Sequence, residues 1–348
     1  MTLCRPVLAL ASLILLLPGC STASSSSGSP AGQVSTSTLA SAAALTGADT
    51  MLAQQILREY NARNNPAIVA SASGDPTAWK LADTGITLER DLFGTVNARV
   101  NKALKPASPF DFLAQGLIVA SPDGVYPRWT MIELDEAPET GGTTSPTATG
   151  SSTPADRRVA AVFVQPAADA PWLMENHIAL PRAASATTST RVATETETAD
   201  ARAALQRALD FLTYGREAPD VDLGSIPASR SSLVIPVKDN IRDTTLVCST
   251  YVPPAGVPGY GTSRAFAVGD SVILVGSISC ASSVMLKHGV KTTAWQQAIL
   301  GVGASASGVT FSYVGTIVIS TTPGSRPAVS WWRLDDALAP AVMVRERG

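Results

Sequence analysis

An apolar stripe with helical spacing opens the part of the chain that can fold. The residues at i, i+4, i+5 and i+8 of this stripe are Leu52, Ile56, Leu57 and Tyr60. This is the spacing at which one face of an α-helix buries its side chains. The Asn-Asn-Pro sequence at 64–66 predicts the end of the helix, because a proline in the interior removes a backbone hydrogen bond.

A second helix is predicted much later, over "TADARAALQRALDFLTYG" (198–215). Its apolar residues recur every three or four positions between Leu205 and Leu212, and Gly215 is placed to terminate it. Each helix precedes several β-branched and apolar runs that predict strands. In the first half the runs are 112–120, 127–134, 158–165 and 172–180; in the second half they are 231–237, 244–252, 271–280, 308–320 and 326–334. A short helix is expected at 292–300.

A long helix followed by an antiparallel sheet occurs twice along the chain. This order predicts the α+β class. We expect two cone-like domains, each a helix packed on a curved antiparallel sheet. The first covers 44–182 and includes a Thr/Ser/Gly/Pro-rich loop at 139–156. The second covers 200–340, and a linker of similar composition at 183–199 joins the two.

The N-terminal segment predicts export and lipid anchoring. An apolar run of 11 residues, Val7–Leu17, suits the core of a signal peptide. It is too short for a membrane-spanning helix, which needs roughly 20 apolar residues. The run ends in Leu17-Pro18-Gly19-Cys20, which resembles the bacterial lipobox. That resemblance implies removal of residues 1–19 and attachment of a diacylglycerol to Cys20.

A tether follows the anchor. Residues 20–43 contain no charged side chain and consist mostly of Ser, Thr, Ala and Gly. Such a segment cannot bury enough apolar surface to offset the entropy of ordering it, so disorder is expected. Two acyl chains hold a protein on a bilayer stably. We therefore expect a lipid-anchored protein on the extracytoplasmic face of the cell membrane.

Several longer sequences carry a family resemblance. The chain resembles actinobacterial surface lipoproteins of unknown function. The resemblance lies in the tether and in the sequences "EYNARNNPAI", "PRWTMIEL", "RRVAAVFVQPAADAPWLMENHIAL" and "AALQRALDFLTYG". Each half is also similar to the NTF2-like or cystatin-like folds, in which a curved sheet wraps a helix. These resemblances imply a fold and a location. They imply no activity, because such folds carry enzymes, binding proteins and scaffolds alike.

Composition narrows the function classes. Charged residues make up 16% of the chain and the formal net charge is −2, against about 25% charged residues in typical domains. Basic residues are not concentrated anywhere, so we expect no nucleic-acid partner. The partners expected are the membrane, through the lipid anchor, and either an envelope protein or a small apolar ligand.

Two cysteines remain in the part predicted to fold, Cys248 and Cys280, both in predicted strands. An even number of cysteines in an exported chain favours a disulfide. By strand parity each shares a face with apolar residues. A buried bridge and two inert buried thiols both fit that pattern. No zinc site is expected, because neither cysteine has a neighbouring histidine.

Candidate chemistry is sparse, and no catalytic residue is assigned. The G-x-S-x-G, H-E-x-x-H and P-loop motifs are missing from the sequence, and no metal or cofactor is expected. Tyr60, Trp129 and His177 are candidates for lining a pocket at the mouth of the first cone. The leading hypothesis is a non-enzymatic binding or interaction module of the cell envelope. The alternative is an NTF2-like enzyme that acts on a small apolar substrate with a pair formed by His177 and a carboxylate.

Overall fold

Blocks of helices and blocks of antiparallel strands follow one another along the chain in the computed structural model, so the fold class is α+β as predicted. The structure describes residues 47–138, 157–181, 190–237, 240–254, 257–261, 263–300, 303 and 305–337. The helices are α1 (Gly47–Ala72), a 3₁₀ helix (Thr77–Leu81), α2 (Gly85–Val100), α3 (Glu195–Tyr214), α4 (Ile226–Leu233) and α5 (Ala294–Leu300). The strands are β1 (Phe110–Ala120), β2 (Arg128–Pro138), β3 (Arg157–Gln165), β4 (Leu173–Pro181), β5 (Thr190–Val192), β6 (Ile241–Thr250), β7 (Ser263–Val268), β8 (Ser271–Lys291), β9 (Ser305–Thr321) and β10 (Ala328–Asp336).

The strands form two antiparallel sheets. The first is a four-stranded meander in the order β1-β2-β3-β4. The second has the order β10-β9-β8-β7-β5, and β6 pairs with β8 beyond the end of β7. Strands β8 and β9, with 21 and 17 residues, are therefore the long central pair of this sheet.

The layers are helix, sheet, sheet and helix, because each sheet buries both of its faces. One face of the first sheet packs on α1, and one face of the second sheet packs on α3. The remaining faces pack against each other through an apolar cluster that contains Met131 and Ile178 of the first sheet and Phe266 and Val318 of the second. The two halves of the chain therefore share one core at this interface.

Helix α1 continues past the predicted end at residues 64–66, so that boundary was wrong. Pro66 lies inside the helix. Asn65 beside it contacts the first sheet, since its Nδ2 donates to Asp111 Oδ1 at 3.0 Å. The next residue, Ala67, packs with Trp79 and Leu88. This packing maintains the helix where the local sequence predicts a stop.

Helix α3 forms as the sequence predicts. Gly215 ends it with a left-handed φ of 68°, and its N–H donates to the carbonyl of Phe211. At the start, Thr194 and Glu197 form a reciprocal capping box. The buried stripe includes Leu205 and Leu209.

Three other sequence predictions were wrong or incomplete. Residues 85–100, which had no predicted element, form α2. The run 231–237, predicted as a strand, overlaps the end of α4. Strand β8 extends to Lys291 and includes His288, which the sequence places in a turn, with a register shift between Met285 and Val290.

The described residues belong to one compact unit. The division into domains at 183–199 stays a prediction. The signal peptide at 1–19, the tether at 20–43 and the loop at 139–156 lie outside the described residues.

Candidate functional site

The first turns of α2 lie between the two sheets. Thr84, just before the helix, donates its N–H to the Met174 carbonyl at 2.9 Å and its hydroxyl to the Pro258 carbonyl at 2.7 Å. Gly85 follows with a φ of 54°, and a Cβ there would lie 3.3 Å from the Glu175 side chain. A glycine suits both the positive φ and the close approach. These contacts position the start of α2 between β4 and the loop before β7.

A polar cleft lies on one side of α2, against β4, β9 and β10. It is lined by Ile86, Thr87, Arg90, Asn176, His177, Val314, Gly315, Thr316, Trp331, Arg333 and Asp335. Gly315 allows the strands to approach here, because a Cβ on it would lie 2.0 Å from the Arg333 carbonyl oxygen. The enclosed end of the polar cleft has room for about one water-sized group. It is therefore too narrow for an organic ligand.

His177 lies in the wall of the polar cleft as a neutral imidazole. Its ring contacts Phe112 with the centroids 6.0 Å apart, and its Nε2 has no hydrogen-bond partner among the described residues. Burial, with smaller contributions from the charges of Arg90 and Arg333, lowers the pKa of His177 to about 3. Such an imidazole can form hydrogen bonds, but it is a poor proton acceptor at neutral pH.

The charges of the polar cleft are already paired. Arg90 forms an ion pair with Asp91 at 3.3 Å, and Arg333 forms one with Asp335 at 2.8 Å. The nearby carboxylates hold the pKa of Arg90 above its ordinary value, with Asp91 the largest contributor. The arrangement supplies hydrogen-bonding groups around a small space. It lacks the carboxylate–imidazole hydrogen bond expected of an acid–base pair.

A larger cavity lies on the other side of α2, over the long strands of the second sheet. Its volume is about 240 Å³, and its lining residues are Glu89, Val247, Ser249, Tyr251, Val252, Pro254, Ser279, Cys280, Ala281, Ser312, Tyr313 and Val314. Its floor consists of two cross-strand rows, Val247–Ala281–Ser312 and Ser249–Ser279–Val314, on the face of the sheet opposite α3. Because most floor residues are small, the sheet leaves space there. We call this the serine cavity.

The serine cavity has one carboxylate in its wall. Glu89 is only 2% exposed, and the Tyr251 hydroxyl donates a hydrogen bond to its Oε1. Burial raises the pKa of Glu89, which the hydrogen bond from Tyr251 opposes. The Tyr251 ring packs with Ile86 and Val314. Tyr251 therefore fixes the carboxylate against the cavity wall.

The structure separates the three residues that the sequence groups as pocket candidates. His177 lines the polar cleft. Tyr60 is buried under the first sheet, where its hydroxyl donates to Asp83 Oδ1 at 2.9 Å. Trp129 packs between the two sheets, with the Arg264 guanidinium 5.8 Å from its ring centroid. Neither Tyr60 nor Trp129 is among the residues that line the polar cleft or the serine cavity.

Cys248 and Cys280 form a disulfide, as predicted. They are direct cross-strand neighbours on β6 and β8, with their Cα atoms 4.1 Å apart. Both are buried in the core beneath α3, next to Leu246 and Ile278. The bridge fastens two of the three strands that form the floor of the serine cavity.

Sequence reasoning missed Glu89 and Tyr251. The sequence does carry a signal for the cavity floor, since small residues alternate in "SISCAS" (277–282). It carries none for Glu89, because the position of that residue depends on α2, which the sequence does not predict.

In the ranges that the structure describes, no group of three or more His, Cys, Asp or Glu residues could hold a metal ion. No helix in those same ranges is long and apolar enough to cross a bilayer. Comparison with protein-family models, curated proteins and solved structures finds no match for this chain.

Proposed function

We propose that this protein is a lipid-anchored, extracytoplasmic binding protein that holds a small, mostly apolar ligand in the serine cavity. The observation that supports this most is the cavity itself. At about 240 Å³ it exceeds the roughly 150 Å³ that accommodates a benzene molecule in a protein core. It is smaller than the 300 to 1,000 Å³ usual for drug-sized ligands. A ligand with one ring or a short chain fits this range.

The location rests on separate observations. The Leu17-Pro18-Gly19-Cys20 sequence resembles a lipobox, and Cys20 lies outside the described residues. The Cys248–Cys280 disulfide fits an oxidising compartment. We also propose that the protein belongs to the actinobacterial surface lipoproteins that it resembles, and that each half has an NTF2-like or cystatin-like fold.

The enzyme alternative receives less support. It needs His177 within hydrogen-bond reach of a carboxylate and ready to accept a proton. The Nε2 of His177 has no partner among the described residues, and its pKa of about 3 keeps the imidazole neutral. We therefore favour binding over catalysis.

Ligand-observed NMR with indole, a small neutral apolar probe, tests the proposed binding site. We expect saturable binding to the wild-type protein and its loss in Ala281→Phe, because a phenyl group at the cavity floor fills the space. Ala103→Phe, at an exposed position, is the matched control and keeps the binding. Equal binding by wild type and Ala281→Phe, or no saturable binding at all, contradicts the proposed site.

The anchor has its own test. The Cys20→Ala variant lacks the thiol that accepts the diacylglycerol, so it is expected in the soluble fraction or as the unprocessed precursor. Membrane fractionation with an antibody to the folded part measures this. Processed Cys20→Ala protein that stays in the membrane like wild type would rule out lipid anchoring.

A further inference from the structure

Glu89 is a buried carboxylate that faces the serine cavity without a cation. Its side chain comes from the second turn of α2 and lines the wall. Among the described residues, no Lys, Arg or His forms an ion pair with it. A buried carboxylate without a counter-ion is costly, and hydrogen bonds alone offset only part of that cost.

A hydrogen bond from a described residue orients the Glu89 carboxylate. Tyr251 donates to Oε1 from a ring that is only 2% exposed and that packs on Val314. A tyrosine hydroxyl donates without bringing a positive charge. The carboxylate is therefore held in position, while no cation among the described residues compensates its charge.

The rest of the lining is neutral. Apolar surface comes from Val247, Val252, Pro254 and Val314, and hydroxyl groups come from Ser249, Ser279 and Ser312. Val247, at the outer end of one floor row, and Val252 are 55% and 74% exposed, so they form a rim that a ligand passes on the way in. The cavity thus combines an apolar body, a polar floor and one negative group in the wall.

We propose that the serine cavity binds a small organic ammonium ion, whose nitrogen donates to the Glu89 carboxylate and whose apolar part contacts the valine rim. This inference rests on the proposed function, because it specifies the chemical class of that ligand. The ammonium supplies the counter-ion that the described part of the protein does not. A charge-assisted hydrogen bond in a partly desolvated site is stronger than a neutral one.

Isothermal titration with two probes of similar shape tests the ligand class. Benzylamine is protonated at neutral pH, whereas benzyl alcohol is neutral. The wild-type protein is expected to bind benzylamine about tenfold or more tightly than benzyl alcohol, the size of effect that a hydrogen bond to a charged group produces. In Glu89→Gln, which keeps the shape and removes the charge, the two affinities are expected to become equal. Glu195→Gln, on the exposed surface of α3, is the control and keeps the preference.

The possible results distinguish a failure of the ammonium preference from a failure of the binding site itself. If both probes bind the wild type equally, the ammonium preference is wrong and the apolar binding site stands. If benzylamine keeps its advantage in Glu89→Gln, the carboxylate is not the reason and the inference is overturned. If neither probe binds the wild type, the inference and the proposed cavity both fail. The comparison of probes on wild-type protein needs no variant to fold.

Discussion

His177 shows how burial sets the chemistry of a single residue. Its pKa of about 3 lies well below the ordinary value of 6.5. Protonation is therefore harder in the folded state than in the unfolded chain. Stability from this group is fully present above about pH 6.5 and is lost as the pH falls towards 3.

Replacing His177 by glutamine is expected to remove that pH dependence. Between pH 6.5 and 3, the free energy of unfolding of the wild type should fall relative to that of His177→Gln by up to about 1.4 kcal/mol per pH unit. Urea unfolding at a series of pH values measures the difference. His288→Gln, at an exposed position, serves as the control. Parallel pH profiles for wild type and His177→Gln would show that the imidazole is not buried as described.

A buried ion pair connects one residue of the first sheet with one residue of the second. Arg264 Nη2 of β7 lies 3.1 Å from Glu175 Oε2 of β4, and their side chains are 11% and 6% exposed. Replacing Arg264 by methionine leaves the carboxylate buried without its partner. The expected cost is about 3 to 5 kcal/mol in the free energy of unfolding.

The double variant Glu175→Leu/Arg264→Met is expected to recover most of that loss, because no buried charge remains. Arg202→Met, which breaks an exposed pair with Glu195, should change stability by less than about 1 kcal/mol. Chemical denaturation compares all three variants. A double variant that is no more stable than Arg264→Met alone would contradict the role of the pair.

At the scale of elements, the disulfide joins β6 and β8 across a separation of 32 residues. In the chain-entropy account, closing a loop of that length stabilises the fold by about 3 to 4 kcal/mol. The double variant Cys248→Ala/Cys280→Ala should unfold more easily by that amount, and adding reductant should destabilise the wild type alone. Thermal melts with and without reductant check this. A melting temperature of the wild type that reductant does not change would mean that the bridge adds no stability.

The elements that the sequence predicts are those with a regular or concentrated set of apolar residues. Helix α3 has one buried stripe, and the strands of the first sheet are rich in apolar residues. Helix α2 has no such pattern, because its first turn is buried on all sides and Thr87 and Glu89 are as buried as Leu88. An apolar stripe does not form where polar residues also face the interior. The serine cavity depends on α2, so it could not be predicted either.

The adjacent tryptophans on β10 are a second case in which the sequence could not predict the packing. Strand parity predicts that Trp331 and Trp332 face opposite sides, which leaves one of them away from the core of a single sheet. The structure places Trp331 against the cluster between the sheets and Trp332 against the cluster beneath α3. The parity was right, but the sequence does not show that the second face of this sheet is also covered.

At the scale of the whole molecule, the two halves are joined by the shared core between the sheets. A protease site inserted at 185–188, between β4 and β5, should allow the chain to be cut while both halves stay together. The apolar cluster between the sheets, which contains Ile178 of the first sheet and Val318 of the second, holds the halves in contact. The ion pair of Glu175 and Arg264 also joins them. Gel filtration after cleavage measures this, with co-elution expected under native conditions. Two separate peaks without denaturant would instead show independent domains.

Native mass spectrometry of the full chain, purified from its own membranes in mild detergent, tests lipid anchoring and ligand binding together. We expect a mass that includes the lipid on Cys20 and one further small molecule, which collisional activation releases. It also predicts that Ala281→Phe keeps the lipid and lacks the small molecule. A wild-type mass that corresponds to the processed polypeptide with neither lipid nor ligand would contradict the claim that this is a lipid-anchored binding protein.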